Sequence, residues 1–175
     1  MLSLRLLDPK TDASLYEESY NWRKNKKHIQ PDRMPFEVFA SDDPLHLAIG
    51  LFDPEFIAIF FFIEIAPATF DSHFTSKKNV PRETLLKGAD TVCAMLLEHG
   101  AEELAACILP ANTPLCRFVE EVSFEFVCEI SCNKVDTSYT LPPEPQTMRY
   151  YRRTRIPLIG HIAATNHKQQ HERPQ

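Results

Sequence analysis

Three side chains near the middle of the 175-residue sequence have the chemistry to accept a proton: Asp71, His73 and Glu64. Asp71 and His73 are two positions apart in a segment where apolar and polar residues alternate, and residues two apart on a strand lie on one face. The pair could hold a water molecule and work with it as a general base. A histidine on a solvent or pocket face with no catalytic role fits the same pattern equally well.

Glu64 is the only charged residue in the apolar run 56–68. If its carboxyl is buried there, desolvation raises the pKa of that carboxyl and makes it a better base. Alternatively, Glu64 ends a strand and turns its carboxylate to water. The sequence leaves both readings open.

The elements that position these side chains follow from hydrophobic periodicity and from Pro, Gly and Asp breakers. We predict a helix from Asp12 or Ser14 to Lys27, a helical turn at 36–39, a helix from Pro81 to Gly100 and a helix at 113–122. The predicted strands are 2–6, 45–52, 56–65, 68–76, 104–109, 124–132 and, after a Pro-rich turn at 141–145, 148–155. The predicted order is βα(α)βββαβαββ, in one domain at 1–155 followed by a flexible tail at 156–175.

Composition favours an ordinary globular domain, with 43% hydrophobic and 25% charged residues. The net charge of −5 gives no general attraction for nucleic acid, so we expect no such partner. The five cysteines show no CxxC spacing, which favours reduced core thiols and no metal. The apolar run at 56–68 is far shorter than the ~20 residues that span a bilayer, and the first residues do not resemble a signal peptide. We therefore expect a cytoplasmic protein without a membrane partner.

The region from Asn112 onward carries a family resemblance. Asn112 follows a predicted strand, Phe118 lies within the next helix, and Phe124 follows the end of that helix. This pattern, together with the element order, resembles the GNAT (GCN5-related N-acyltransferase) superfamily, in a divergent form similar to members found in bacteriophages. The resemblance covers most of residues 1–155 and is most specific at 70–127. It implies an α/β (α+β) acyl-CoA N-acyltransferase fold, with a mixed central sheet of about seven strands flanked by helices.

Two positions depart from the family pattern. Val119 stands where the family often places the tyrosine that protonates the leaving thiolate of CoA, and Ser123 replaces the usual glycine after the helix. The turn at 78–83, which by position corresponds to the family's glycine-rich phosphate loop, contains no glycine, and Pro81 lacks a backbone N–H. The resemblance therefore implies phosphate contacts through side chains instead, from Lys77, Lys78, Arg82 and Lys87.

The activity implied is transfer of an acetyl or other acyl group from acyl-CoA to the amine of a small molecule or a protein. Asp71, His73 or Glu64 would supply the base, and backbone N–H groups of Phe74, Thr75 and Ser76 would polarise the acyl carbonyl. Asn112 could bind the pantetheine arm, or cap the following helix, or do both. The alternative function keeps the fold without the catalysis, as a binding or phage-assembly component with a protein partner.

Overall fold

The computed structural model describes residues 1–24, 36–134 and 144–155. Its helices are α1 (Ala13–Lys24), α2 (Phe36–Phe39), α3 (Arg82–Glu98) and α4 (Thr113–Glu121). Its strands are β1 (Ser3–Leu6), β2 (His46–Phe52), β3 (Phe56–Ala66), β4 (Thr69–Ser76), β5 (Glu103–Ile108), β6 (Glu125–Lys134) and β7 (Glu144–Thr154). The order along the chain is the predicted one.

The seven strands form one sheet in the spatial order β1-β2-β3-β4-β5-β7-β6. The β4–β5 pair is parallel and the other neighbouring pairs are antiparallel, which makes the sheet mixed, as predicted. A parallel pair needs a long crossover connection, and α3 provides it between β4 and β5. The predicted hairpin is the β2–β3 pair.

Both faces of the sheet are covered by helices, and β3 shows why its sequence is apolar throughout. Phe60 and Phe62 belong to the core cluster that contains residues of α3 and α4. Ile59 and Phe61 belong to the cluster that contains Tyr16 of α1 and Phe39 of α2. A strand buried on both faces loses the apolar–polar alternation of a half-exposed strand.

The ends of α3 match their sequence signals. Pro81 directly precedes the helix, and Gly100 has a positive φ of 113° just beyond it. The N–H of Ala101 donates to the carbonyl of Leu96 at 3.0 Å, which closes the last turn. Gly88 lies against Leu51 of β2, where an added Cβ would meet Leu51 Cδ2 at 2.6 Å. The absence of a side chain at Gly88 therefore lets α3 pack closely on the sheet.

Two predictions change, one about the start of a strand and one about the burial of the cysteines. β7 begins at Glu144, inside the predicted Pro-rich turn, because it pairs with β6 as far as Lys134↔Glu144. Pro145 is tolerated there because β5 pairs with β7 only from Arg149 onward, so one edge of the strand is still unpaired. Of the predicted core thiols, Cys93 and Cys116 are buried, whereas Cys107 and Cys128 are exposed.

Some predictions fall outside the described residues: the end of the first helix beyond Lys24, most of the turn at 141–145, and the tail at 156–175. Within the described ranges, no helix combines the length and the apolar character needed to cross a membrane.

Candidate active site at the divergence of β4 and β5

The central feature of the sheet is a gap between its two parallel strands. β4 and β5 pair only at Thr69↔Glu103, Phe70↔Leu104 and Asp71↔Ala105. Beyond Asp71, β4 continues in register with β3 as far as Ser76, and β5 continues in register with β7 as far as Ile108. The two strands therefore diverge after Asp71 and leave a cleft between them.

Backbone N–H groups of β4 point into this cleft. The N–H of Lys77 donates to the Ile57 carbonyl at 2.9 Å, and hydrogen-bonded pairs alternate along an antiparallel ladder. Thr75 and His73 therefore direct their amides to β3. Phe74 and Ser76 direct theirs toward the edge from which β5 has moved away, whereas the N–H of Ser72 bonds the Ala105 carbonyl in the last β4–β5 pair.

This alternation divides the three residues predicted to polarise a carbonyl. Phe74 and Ser76 present their N–H groups at the cleft edge. Thr75 does not, because its amide faces Ile59 of β3, and its side chain is only 2% exposed.

Asp71 and His73 lie together on the α1 face of the sheet, as their spacing predicted. His73 Nε2 is 3.0 Å from Asp71 Oδ2, and the side chains are 21% and 29% exposed. The ring of His73 also lies 6.2 Å from that of Phe61, its partner on β3. The pair is thus partly accessible to solvent and stands where the cleft opens.

Glu64 is not part of this pair. It is opposite Phe70 in the β3–β4 ladder, which places it on the other face of the sheet from Asp71. Its Oε1 accepts a hydrogen bond from the N–H of Ala68 at 2.9 Å, and Ala68 has a positive φ of 57°. The carboxylate closes the β3–β4 turn. This position is close to the alternative in which Glu64 ends a strand.

Two of the four cationic side chains predicted to meet phosphates are held by carboxylates. Lys77 Nζ is 3.1 Å from Glu18 Oε1 of α1 and 5.8 Å from the centre of the Trp22 ring. Arg82 makes two hydrogen bonds to Glu121, at 3.2 Å from Nε and 2.9 Å from Nη2. Neither partner could be predicted from the sequence. Lys78 and Lys87 are exposed.

Stacked aromatic rings line the α3/α4 side of the cleft. Phe74 stacks on Phe118 of α4 with centroids 5.1 Å apart and planes inclined by 8°. Phe60 stacks on the other side of Phe74 at 5.1 Å. The Arg82 guanidinium carbon lies 5.7 Å from the centre of the Phe118 ring. These contacts join β4 to α4 across the gap that β5 leaves.

The turn before α3 offers few fixed donors for a phosphate. Pro81 is the N-cap of α3 and has no side-chain capping bond, and Glu83 lies in the first turn. Asn79 adopts a positive φ of 63°. The first-turn amides of α3 and the exposed Lys78 side chain are the groups that fit an anion, whereas the Glu83 carboxylate opposes one. This turn therefore presents fewer fixed anion donors than a glycine-rich loop would.

Asn112 serves as the N-cap of α4, as one of its two predicted roles requires. Its side chain accepts a hydrogen bond from the N–H of Leu115 at 3.4 Å. Val119 is buried at 8% exposure and supplies no proton donor. The Tyr151 hydroxyl does approach α4, but it donates to Glu120 at 3.2 Å, on the side of the helix away from Phe118.

Ser123, which replaces the usual glycine, adopts a left-handed conformation after α4, with a φ of 63°. Its N–H donates to the Glu120 carbonyl at 3.1 Å, and the N–H of Phe124 donates to the Val119 carbonyl at 3.0 Å. These two bonds form a Schellman motif, which usually places glycine at this position. Among the described residues, His, Cys, Asp and Glu form no group of three or more that could hold a metal ion.

Comparison with known proteins shows the fold. Neither a family model nor a curated protein matches the sequence. Among solved structures, an N-acetyltransferase from Staphylococcus aureus Mu50 superposes with a TM-score of 0.70 at 12% identity, over 88% of this chain and 97% of the other.

Two further solved structures are similar over nearly their whole length. The spermidine N-acetyltransferase from Vibrio cholerae, in complex with CoA and spermine, has a TM-score of 0.66 at 11% identity, over 87% of this chain and 95% of its own. The ribosomal-protein-S18-alanine N-acetyltransferase from Escherichia coli has a TM-score of 0.66 at 14% identity, over 88% and 94%. The chain therefore has the acyl-CoA N-acyltransferase fold, which these N-acetyltransferases share.

Proposed function

We propose that this protein is a GNAT-like N-acyltransferase that transfers an acetyl or other acyl group from acyl-CoA to an amine. The observation that carries the proposal is the divergence of β4 and β5 directly after Asp71, with His73 at the mouth of the gap. A solved structure with this fold, yncA from Salmonella typhimurium, contains acetyl-CoA (TM-score 0.65, 11% identity, 88% of this chain). The fold likeness makes the same ligand class the natural candidate here.

In this proposal His73 accepts the proton that the attacking amine loses, directly or through a water molecule. Asp71, 3.0 Å away, orients the imidazole and stabilises its charged form. The amides of Phe74 and Ser76 hydrogen-bond the carbonyl oxygen as negative charge develops on it. Nitrogen bonds the acyl carbon first, and the bond from that carbon to sulfur then breaks as the carbonyl reforms. CoA leaves as its thiolate, which takes a proton from solvent. Glu64 has no role in this step because Ala68 engages it on the other face.

The proposed contacts to the rest of acyl-CoA are fewer than the contacts to the thioester. Lys78 and Lys87 are exposed and available to phosphates, and Asn112 lies at the start of α4 beside the cleft. Arg82 and Lys77 would have to leave Glu121 and Glu18 to take part. The acceptor is the amine of a small molecule or a protein, and the expected compartment is the cytoplasm.

The direct test is whether acetyl-CoA binds the purified protein. Thermal denaturation and isothermal titration calorimetry measure this binding. A ligand that binds only the folded state raises the melting temperature, by an amount that grows with its concentration. We expect a rise at micromolar to millimolar acetyl-CoA. An unchanged melting temperature at millimolar acetyl-CoA would contradict the proposed cofactor.

A second candidate function, a catalytically inactive binding or assembly protein, is favoured by the paired cations. Arg82 and Lys77 are both held by carboxylates, and the Phe74–Phe118 stack occupies the α3/α4 side of the cleft. This candidate predicts a stoichiometric protein partner and a His73→Ala variant with full function. If the protein is an N-acyltransferase, the same variant should lose turnover.

A further inference from the structure

Ser72 lies on β4 at the point where the cleft between β4 and β5 begins. It is the first residue of β4 beyond the last β4–β5 pair, Asp71↔Ala105, and it stands between the two members of the Asp71–His73 pair. It is opposite Phe62 in the β3–β4 ladder, so its side chain lies on the α3/α4 face of the sheet. Its backbone N–H is directed toward β5, where the parallel Asp71↔Ala105 pair requires it to bond the Ala105 carbonyl.

The hydroxyl group of Ser72 is buried and unsatisfied. Within the described part of the chain, its Oγ has no hydrogen-bond partner. Buried hydroxyl groups are normally hydrogen-bonded, and leaving one without a partner destabilises the folded state. A buried donor without a partner at the apex of a ligand cleft is explained if a ligand atom completes its hydrogen bond.

We propose that the Ser72 hydroxyl donates a hydrogen bond to the carbonyl oxygen of the acyl group, beside the backbone amides of β4. This inference rests on the proposed function, since it assumes that the thioester lies in the β4–β5 cleft. Ser72 would then share the negative charge on the carbonyl oxygen in the transition state. The nucleophile would be deprotonated on the α1 face, where His73 lies, while Ser72 contacts the acyl group from the α3/α4 face.

Two other buried polar atoms lack partners among the described residues, and neither fits this role. Thr75 Oγ1 lies beneath α1, on a residue whose amide faces β3. His46 Nδ1 is on β2, two strands away from the cleft edge. Ser72 alone of the three combines an unsatisfied hydroxyl with a position at the start of the divergence.

The test compares acetyl-CoA with S-ethyl-CoA, a thioether that lacks the carbonyl oxygen. Calorimetry of the wild type should give tighter binding of acetyl-CoA, and Ser72→Ala should remove about two- to tenfold of that preference, as expected for one hydrogen bond. Ser19→Ala is the matched control, since Ser19 is fully buried on α1 outside the cleft. It should keep the wild-type ratio.

The outcomes separate this inference from the proposed function. If the wild type binds neither compound, both fail. If it binds acetyl-CoA and Ser72→Ala keeps the wild-type preference, the Ser72 inference fails and the proposed function stands.

A second measurement uses the ligand-free protein. Because the Ser72 hydroxyl has no partner, Ser72→Ala should leave the melting temperature unchanged or raise it by about 2 °C. Ser19→Ala should lower the melting temperature, because Ser19 Oγ donates to the Tyr16 carbonyl at 2.9 Å. A clear fall for Ser72→Ala would mean that the hydroxyl is bonded within the protein, and would overturn the inference.

Discussion

The Arg82 guanidinium and the Glu121 carboxylate, 39 positions apart in the sequence, join the first turn of α3 to the last turn of α4 through two hydrogen bonds. Both side chains are about half exposed, at 47% each. The hydrogen-bonded partner lowers the pKa of Glu121 and raises the pKa of Arg82. Arg82 is thereby held over the Phe118 ring, beside the cleft where the proposed ligand would enter.

The first prediction concerns this ion pair. Glu121→Gln removes the negative charge and releases Arg82, so under the proposed function acetyl-CoA should bind about three- to tenfold more tightly, with a steeper dependence on salt. Calorimetry at two salt concentrations measures both effects. Glu98→Gln, at the far end of α3, is the control and should leave the affinity unchanged. Weaker binding by Glu121→Gln would mean that the pair builds the site instead of blocking it.

The second prediction concerns the base. Under the proposed function, His73→Gln should lower kcat by about 10²- to 10⁴-fold while acetyl-CoA affinity stays within about twofold, because the imidazole would act on the amine and not on the cofactor. Asp71→Asn should cause a smaller loss of the same kind. His46→Gln is the matched control, since His46 is on the same face of the sheet, on β2. Equal turnover by His73→Gln and the wild type would remove His73 from the mechanism.

The third prediction concerns acid stability. Asp12 accepts two hydrogen bonds from Arg5, at 2.8 and 3.0 Å, and the pair lowers the pKa of Asp12 from 3.8. A carboxyl with a lowered folded-state pKa stabilises the protein above its unfolded pKa, and this contribution disappears as pH falls through the folded value. Asp12→Asn should therefore lower the melting temperature by about 1–4 °C at pH 7, with a difference that shrinks below pH 3.8.

The control for Asp12 is Asp53→Asn. Asp53 contacts the N-terminal amine at 3.2 Å, and its side chain is 42% exposed. Such an exposed pair contributes little, so Asp53→Asn should change the melting temperature by less than about 1 °C at any pH. If the melting temperature of Asp12→Asn is lowered by the same amount at every pH, the cause is lost packing and not lost charge.

The fourth prediction concerns the end of α4. Ser123→Gly removes the unfavourable positive φ of an L-residue, which is offset in part by the greater freedom of glycine in the unfolded chain. The expected net gain is about 0.5–1 kcal/mol in the free energy of unfolding. Urea denaturation measures it, with Ser123→Ala as the comparison. If the glycine variant is no more stable than the alanine variant, the backbone at this position is not strained.

The sequence allowed the order of elements and the face shared by Asp71 and His73 to be predicted, because both depend on local periodicity. The chemistry at the α3/α4 end of the cleft was not predictable in the same way. Arg82 has many acidic residues within reach in principle, and only packing of α3 beside α4 selects Glu121. Glu64 was ambiguous because its turn partner is a backbone amide, which leaves no side-chain signal in the sequence.

The pairing of β4 with β5 also divides the sheet mechanically. β1 to β4 form one half and β5, β7 and β6 the other, joined through the backbone at Thr69↔Glu103, Phe70↔Leu104 and Asp71↔Ala105. A junction this short can act as a hinge, with the stacked rings of Phe74 and Phe118 as the contact that would separate first on opening. Amide hydrogen exchange should show this directly: Phe74 and Ser76, although central in the sheet, should exchange faster than their neighbours His73 and Thr75.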